Sequence, residues 1–247
     1  MRLMKWWTLG VAAACFALTF ADTALAQSVT VDLGGGEGLT GRIVQLVLLV
    51  TLLSVAPSIL IMATSFIRIV VVLSLLRTAI GLQQSPPNTV ITSLALFLTA
   101  FIMANPLQQA WDNGIRPMMN EEISLEEGFN RSTAPVATFM LAHTRQDDLA
   151  MFFDLSKKTP PATAAETPLT VLVPAFMISE LRRAFEIGFM VFLPFLIIDL
   201  VVASLLMSMG MMMLPPVTIS LPFKLIFFVL VDGWRLIVGS LAASYGM

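Results

Sequence analysis

Long apolar stretches alternate with polar or proline-rich segments along this chain. Four stretches reach the length of a membrane-spanning helix: Ile43 to Ala63, Thr78 to Trp111 (most apolar from Val90 to Leu107), Phe185 to Met207, and Leu221 to about Leu241. A bilayer core requires about 20 apolar residues in helical form. Because lipid cannot satisfy backbone N–H and C=O groups, each stretch is predicted to be a helix.

Prolines divide these stretches into two predicted hairpins. Ser85-Pro86-Pro87-Asn88 is typical of a turn, and so is Pro215-Pro216. Pro57, Pro106, Pro194 and Pro222 lie within or at the ends of apolar stretches and predict kinks or helix ends. The pattern predicts a first hairpin region at 43–107 and a second at 171–247.

The intervening segment, 108–170, is polar and acidic. It carries nine of the chain's 16 acidic residues but five of its 14 basic ones. Ser124 and Glu127 fit a helix-capping box, and Thr138 to Leu155 has apolar residues at helical spacing. Lys157 to Thr167 is predicted to be a loop. We therefore predict a small amphipathic helical insert, which an exported N-terminus would place outside the cytoplasm.

The N-terminal segment has the features of a secretory signal peptide, predicted at 1–26. A basic start, Arg2 and Lys5, precedes an apolar run and the small-residue cleavage pattern Ala24-Leu25-Ala26. An uncleaved membrane helix is the alternative. Residues 27–42 are rich in glycine and are predicted to be a flexible linker.

The composition argues against catalysis. Hydrophobic residues make up 57% of the chain and charged residues 12%, where soluble domains carry about 25%. The chain has one cysteine, Cys15, within the predicted signal peptide, and one histidine, His143. No paired carboxylates, metal-binding motif or basic nucleic-acid footprint is apparent. We therefore predict no enzyme activity, no cofactor, no metal and no nucleic-acid partner.

Charges inside or beside the apolar stretches are the first candidate functional residues, because such charges require a partner or an aqueous cavity. They are Arg68, Arg77, Glu180, Arg182, Arg183, Glu186, Asp199, Lys224, Asp232 and Arg235. A nine-residue spacing puts Arg68 and Arg77 on opposite helix faces, with different partners. The Arg182-Arg183 dipeptide conflicts with the positive-inside rule if the chain has four ordinary spans.

Two pairing predictions follow from a hairpin folded at Pro215-Pro216. Asp199 and Arg235 fall at similar depth and are predicted to pair. Lys224 lies nearer the tip, without a partner in the hairpin, so its partner is predicted in another chain. The alternative is that Lys224 extends to the membrane surface.

The segment from Met207 to Met213 holds five methionines in seven residues. Thioether side chains are flexible and polarizable, so they seal against irregular surfaces. From composition alone, an ordinary apolar helix end is the simpler interpretation. A soft gate formed by several copies is the alternative, and copper binding is disfavoured because neither Cys nor His accompanies the segment.

Two stretches resemble the FliP family of type III secretion export-gate subunits. They read SFIRIVVVLSLLRTAIGLQQSPPNTVITSLALFLTAFIM, from Ser65 to Met103, and PAFMISELRRAFEIGFMVFLPFLIIDLVVASLLMSMGMMMLPPVTISLPFKLIFFVLVDGWRLIVGSL, from Pro174 to Leu241. Within the insert, FMLAHTRQDDLAMFFDL is similar but looser.

The resemblance implies an assembly of several copies of the chain with FliQ and FliR, with FlhA and FlhB nearby. Such a complex lies in the bacterial inner membrane, at the flagellar basal body, and passes unfolded export substrates. The resemblance also implies that neighbouring subunits largely cover the hairpins, which project toward the periplasm, and that a pore gasket forms from Met209, Met211, Met212 and Met213.

The sequence therefore predicts an all-α integral membrane protein with long kinked helical hairpins and a small amphipathic helical insert. Its predicted function is that of a channel-forming subunit of the flagellar export gate. A virulence type III secretion gate and a small-molecule or ion transporter are the alternatives. The signal peptide favours the flagellar branch.

Overall fold

The computed structural model describes residues 39–82, 84–161, 163, 166–211 and 213–246. The predicted signal peptide and nearly all of the predicted linker lie outside these residues. The chain divides into two units, Met1–Leu49 and Val50–Met247. Helix α1, Leu39–Met62, already includes the last residues of the predicted linker.

The described residues form helices and no strand, which confirms the predicted all-α class. After α1 the helices are α2 (Phe66–Ile80), α3 (Asn88–Ile102), α4 (Ala104–Ala110), a π-helical turn (Trp111–Ile115), α5 (Arg116–Met119), α6 (Leu125–His143), α7 (Gln146–Ser156), α8 (Leu169–Ser208), α9 (Pro216–Leu230) and α10 (Gly233–Ala243).

Helix α2 is the centre of the second unit, although the sequence did not single it out as an apolar segment. It packs against α3 and along α8, and it buries Ile69, Val72, Leu73 and Leu76. Close approach to α8 depends on Gly188, where an added Cβ would lie 2.2 Å from Leu75 Cδ1. Helix α2 does not stand out as an apolar stretch of membrane-spanning length because its two arginines interrupt the apolar pattern.

By length and composition, α8 is the one described helix that alone reaches membrane-spanning size. Two further candidates are bent pairs: α3 with the segment Ala104–Met119, and α9 with α10, each bent by 62°. Pro106 follows the first bend, whereas Pro194 and Pro222 lie within helices. The prolines therefore do not all mark helix ends.

The first predicted turn is confirmed. Gly81 ends α2 in the left-handed conformation, with a φ of 91°, and its N–H and that of Leu82 bond to carbonyls of the last helical turn. The Ser85–Pro86 peptide bond is cis, and α3 begins at Asn88. The sequence Ser85-Pro86-Pro87-Asn88 thus reverses the chain between α2 and α3.

The insert contains the two helices α6 and α7. Ser124 caps α6 by accepting a hydrogen bond from the Glu127 N–H at 3.2 Å, as the capping motif predicts. The two helices separate at Thr144, which adopts an extended backbone conformation. Ser179 of α8 holds the start of α7, because it accepts the Arg145 N–H at 3.0 Å and donates to Asp148 at 2.6 Å.

Candidate functional site

The most enclosed charges are Arg68 of α2 and Glu180 of α8. Two guanidinium nitrogens bond to the two carboxylate oxygens, with Nε to Oε2 at 2.9 Å, and the side chains are 3% and 0% exposed. Arg68 Nη1 also donates to the carbonyl and hydroxyl oxygens of Ser244, at 3.2 and 2.9 Å. A bidentate arginine–carboxylate pair of this kind is among the strongest ion pairs in proteins.

Tyr245 completes this cluster, which we call the arginine clamp (Arg68, Glu180, Ser244 and Tyr245). Its hydroxyl donates to Glu180 Oε2 at 2.5 Å, and its ring lies 3.9 Å from the Arg68 guanidinium carbon. Burial raises the pKa of the Tyr245 hydroxyl far above its usual value, and the Glu180 carboxylate raises that pKa further. The hydroxyl therefore remains a donor at physiological pH.

A second, partly buried ion pair joins α9 to α8. Lys224 Nζ donates to Asp199 Oδ2 at 2.6 Å and to the carbonyl oxygen of Ala79, at the end of α2, at 3.2 Å. Ser220, one turn before Lys224, donates to the other carboxylate oxygen of Asp199 at 2.5 Å. We call Asp199, Ser220 and Lys224 the lysine cluster.

The lysine cluster contradicts both pairing predictions for this hairpin. Asp199 pairs with Lys224 rather than Arg235, and Lys224 finds its partner within its own chain. The cause is the position of the turn: α8 ends at Ser208, well before Pro215-Pro216, so the hairpin reverses within the methionine segment. Arg235 lies beyond the bend between α9 and α10 and makes no ion pair with any described residue.

Arg77 has a different partner from Arg68, as the helical spacing predicts. It donates to the carbonyl oxygen of Pro86 at 3.3 Å and to Asn88 Oδ1 at 2.5 Å, and so ties the end of α2 to the turn before α3. Both predicted arginines of α2 therefore have partners inside the chain.

Arg182 and Arg183 share one carboxylate on the exposed side of α8. Arg182 Nε lies 3.2 Å from Glu186 Oε1, and Arg183 Nη1 lies 3.0 Å from Glu186 Oε2. All three side chains are exposed. Exposed pairs of this kind contribute about 0–1 kcal/mol to stability. They therefore stabilise the fold little, and their notable feature is their exposed position on α8.

The methionine segment is a turn, not the continuation of a helix. After Ser208 the chain passes through Gly210 in the left-handed conformation, with a φ of 73°, and Met211 N–H bonds back to the Leu206 carbonyl at 2.9 Å. Met209 is 69% exposed, Met211 41% and Met213 99%. Met212 lies outside the described residues. The turn therefore presents flexible apolar side chains outward.

The charged groups of the two clusters hold one another in place, and the methionine turn exposes apolar side chains. Within the part of the chain that the structure describes, no three His, Cys, Asp or Glu residues are grouped to hold a metal ion. The carboxylates of Glu180, which is buried, and of Asp199, which is partly exposed, are each bound by a cation and a hydroxyl.

The family model described as FliP family matches residues 49–241. The chain belongs to the FliP family. The matched region contains both ion pairs and the methionine turn, whereas Ser244 and Tyr245 lie beyond it.

Relatives in three bacteria bear the name "Flagellar biosynthetic protein FliP". The relative in Caulobacter vibrioides is 63% identical over 238 residues, covering 96% of this chain and 90% of its own. The relative in Bacillus subtilis is 57% identical over 202 residues, covering 82% and 91%. The relative in Aquifex aeolicus is 50% identical over 227 residues, covering 91% and 95%.

In this FliP-family chain the sequence pattern indicates the charges of both clusters but not the hydroxyl groups that hold them. Ser220 precedes Lys224 by one helical turn, so helical spacing already places both on one face. Tyr245 is the chain's single tyrosine, and it follows an apolar helix. Neither signal specifies a partner, because each partner is distant in sequence.

Proposed function

We propose that this chain is a channel-forming core subunit of the flagellar protein export gate, required for export of flagellar proteins and for flagellum assembly. The observation that carries the proposal is the exposed methionine turn between α8 and α9 in a chain of the FliP family. The relatives' names, which refer to flagellar biosynthesis, support the flagellar branch.

The chemistry of the turn suits a seal. A closed gate must exclude ions, yet it must open for polypeptides of varied shape. Methionine side chains are unbranched and polarizable, so they fill irregular gaps without a fixed partner. Several copies arranged around a pore would bring Met209, Met211, Met212 and Met213 together as a ring of thioethers.

The proposal includes a multi-pass location in the bacterial inner membrane, within the flagellar basal body. Helices α8 and α9 leave many apolar side chains exposed, among them Phe189, Leu200, Val229 and Leu230. An apolar surface of this extent marks a membrane or subunit contact. Its proposed occupants are lipid, sister copies, FliQ and FliR, with FlhA and FlhB nearby and unfolded export substrates in the pore.

The test replaces Met209, Met211, Met212 and Met213 with alanine in cells and measures small-solute leakage and secretion of flagellar proteins. We expect increased leakage at unchanged subunit abundance, because alanine cannot span the gaps. The control replaces Met119 and Met151, which are exposed methionines of the insert, and should leave permeability unchanged. Equal permeability of the gasket variant and the unaltered protein would refute the sealing role.

A further inference from the structure

Helix α6 of the insert has opposite charges at its two ends. Four exposed carboxylates lie just before its start and in its first turn, a group that we call the acidic end: Glu121, Glu122, Glu126 and Glu127. Arginines gather beyond its last turn. The 19 residues of α6 hold the two ends about 27 Å apart at 1.5 Å per residue. The acidic end therefore cannot reach these arginines within one chain.

The acidic end is only partly neutralised. Glu127 pairs with Arg131, and the other three carboxylates form no ion pair with any residue that the structure describes. The helix dipole favours carboxylates in a first turn, but Glu121 and Glu122 precede the capping residue Ser124 and lie outside that turn. This end of the insert thus presents negative charge to its surroundings.

At the opposite end of α6 a cavity of about 480 Å³ opens between the break after α6, helix α8 and the residues after α10. We call it the arginine cavity. His143, the last residue of α6, belongs to its wall. The other charged or titratable groups of the lining include four arginines and one carboxylate, namely Arg68, Arg145, Arg182, Arg183 and Glu186.

The arginines of the cavity differ in how fully they are neutralised. Arg68 is paired within the arginine clamp, and Arg145 pairs with Asp147. Arg182 and Arg183 share one carboxylate of α8, so one positive charge there is not compensated. Their side chains are 57% and 63% exposed, and each guanidinium retains unused N–H donors. The cavity can therefore accept a carboxylate from outside the chain.

We propose that the arginine cavity of one copy of this chain binds the acidic end of a second copy. Guanidinium groups bind carboxylates through paired N–H donors, and complementary charges fix the register of two surfaces and exclude wrong partners. Because the contact joins two different surfaces, it is heterologous and repeats from copy to copy. The inference rests on the proposed function, in which several copies associate, and assigns them a contact.

The test uses two full-length variants with reversed charge. The first, Glu121→Arg/Glu122→Arg, makes the acidic end basic. The second, Arg182→Glu/Arg183→Glu/Glu186→Arg, keeps opposite charges paired on α8 but changes their net charge from positive to negative. The two variants carry different tags and are expressed in cells alone or together. Native mass spectrometry of the detergent-solubilised complexes then counts the copies of each.

Each variant alone should form multi-copy complexes at a level about tenfold below that of the unaltered chain, because like charges then meet across the contact. Expressed together, the two variants should form mixed complexes at nearly the unaltered level. The basic end of the first variant then meets the acidic cavity of the second, and the two unaltered surfaces meet each other. Structural damage cannot produce this recovery, because two damaged chains do not repair one another.

The matched control is Lys157→Glu/Lys158→Glu, which reverses two neighbouring exposed charges that do not line the cavity. It should leave complex formation unchanged. An equal loss in the control would overturn the proposed contact, and so would a loss in the reversed variants that joint expression does not repair.

The same measurement separates this contact from the proposed function. Unaltered complex formation by both reversed variants would overturn the contact alone, because the copies would then associate through other surfaces. Absence of any multi-copy complex of the unaltered chain would overturn both the contact and the role of the chain as a gate subunit present in several copies.

Discussion

The arginine clamp and the lysine cluster both place an ion pair among apolar helices, but they are enclosed to different degrees. In the arginine clamp both charged side chains are almost fully buried, and the donors come from α2 and from the residues after α10. In the lysine cluster Lys224 is 4% exposed but Asp199 is 25% exposed. The first is complete within one chain, whereas the second leaves a carboxylate edge open beside the hairpin that ends in the methionine turn.

The charges of the arginine clamp are therefore fully paired within the chain, whereas the α8–α9 hairpin keeps a partly exposed carboxylate. A buried charge that loses its partner is far more costly than a half-exposed one, because water can solvate the latter. Variants that remove one charge from each cluster therefore test whether the arginine clamp loses more stability than the lysine cluster.

The largest expected effect is that of Glu180→Gln. The substitution leaves the Arg68 charge buried without a counter-ion, a defect that costs about 3–5 kcal/mol. We expect a marked fall in the melting temperature of the detergent-solubilised chain. The control is Glu186→Gln, which breaks exposed pairs worth at most about 1 kcal/mol. Similar melting temperatures for the two variants would contradict the enclosure of the clamp.

Lys224→Met should have a smaller effect, about 1–3 kcal/mol for an unpaired polar group, because Asp199 keeps its bond to Ser220 and some access to water. The double variant Lys224→Met/Asp199→Leu should be more stable than Lys224→Met, since removing both charges leaves neither unpaired. Thermal unfolding of the three proteins tests this order. A double variant no more stable than Lys224→Met would contradict the pairing of the two residues.

Tyr245→Phe removes one hydrogen bond to a charged group, worth about 1.5–3 kcal/mol in a favourable case, and leaves the ring in place. The raised pKa of Tyr245 also predicts a pH dependence. The hydroxyl's contribution is fully present below the ordinary tyrosine pKa of about 10 and is lost as pH rises above it. Melting temperatures should therefore converge for the two proteins in alkali. A difference in melting temperature that stays constant above pH ~10 would count against a buried Tyr245 hydroxyl that donates to Glu180.

The smallest effect on stability belongs to the methionine turn. Replacing Met209, Met211 and Met213 with alanine should change the stability of the isolated chain by about 0.5 kcal/mol or less, as expected for exposed positions. Thermal unfolding checks this directly. A large loss would mean that the turn stabilises its own chain, and any leakage would then have a trivial cause.

Local patterns predicted the features that depend on neighbouring residues. The turn at Ser85-Pro86-Pro87-Asn88 follows from the restricted backbone of proline, and Ser124 caps α6 through a contact three residues away. The separate partners of Arg68 and Arg77 follow from helical spacing. The turn and the cap each depend on residues only a few positions apart, where sequence and geometry are tightly linked.

The pairing of charges could not be obtained in the same way. Arg68 and Glu180 are 112 positions apart, and no local pattern specifies such a contact. The error at Asp199 has a more specific origin: the hairpin was assumed to fold at a proline pair, whereas α8 ends at Ser208 and Gly210 turns the chain. Because positions were counted from the wrong turn, Asp199 was matched with Arg235 instead of Lys224.

The close contact at Gly188 has a mechanical consequence. Helix α2 and the insert hold α8 up to about Gly188, and beyond it the lysine cluster ties α8 to α9, so the two helices of the hairpin would move together. The 20 helical steps from Gly188 to Ser208 span about 30 Å, so a tilt of about 5° near Gly188 would move the end of α8 by ~3 Å. A small rearrangement at the base would thus be amplified at the methionine side chains.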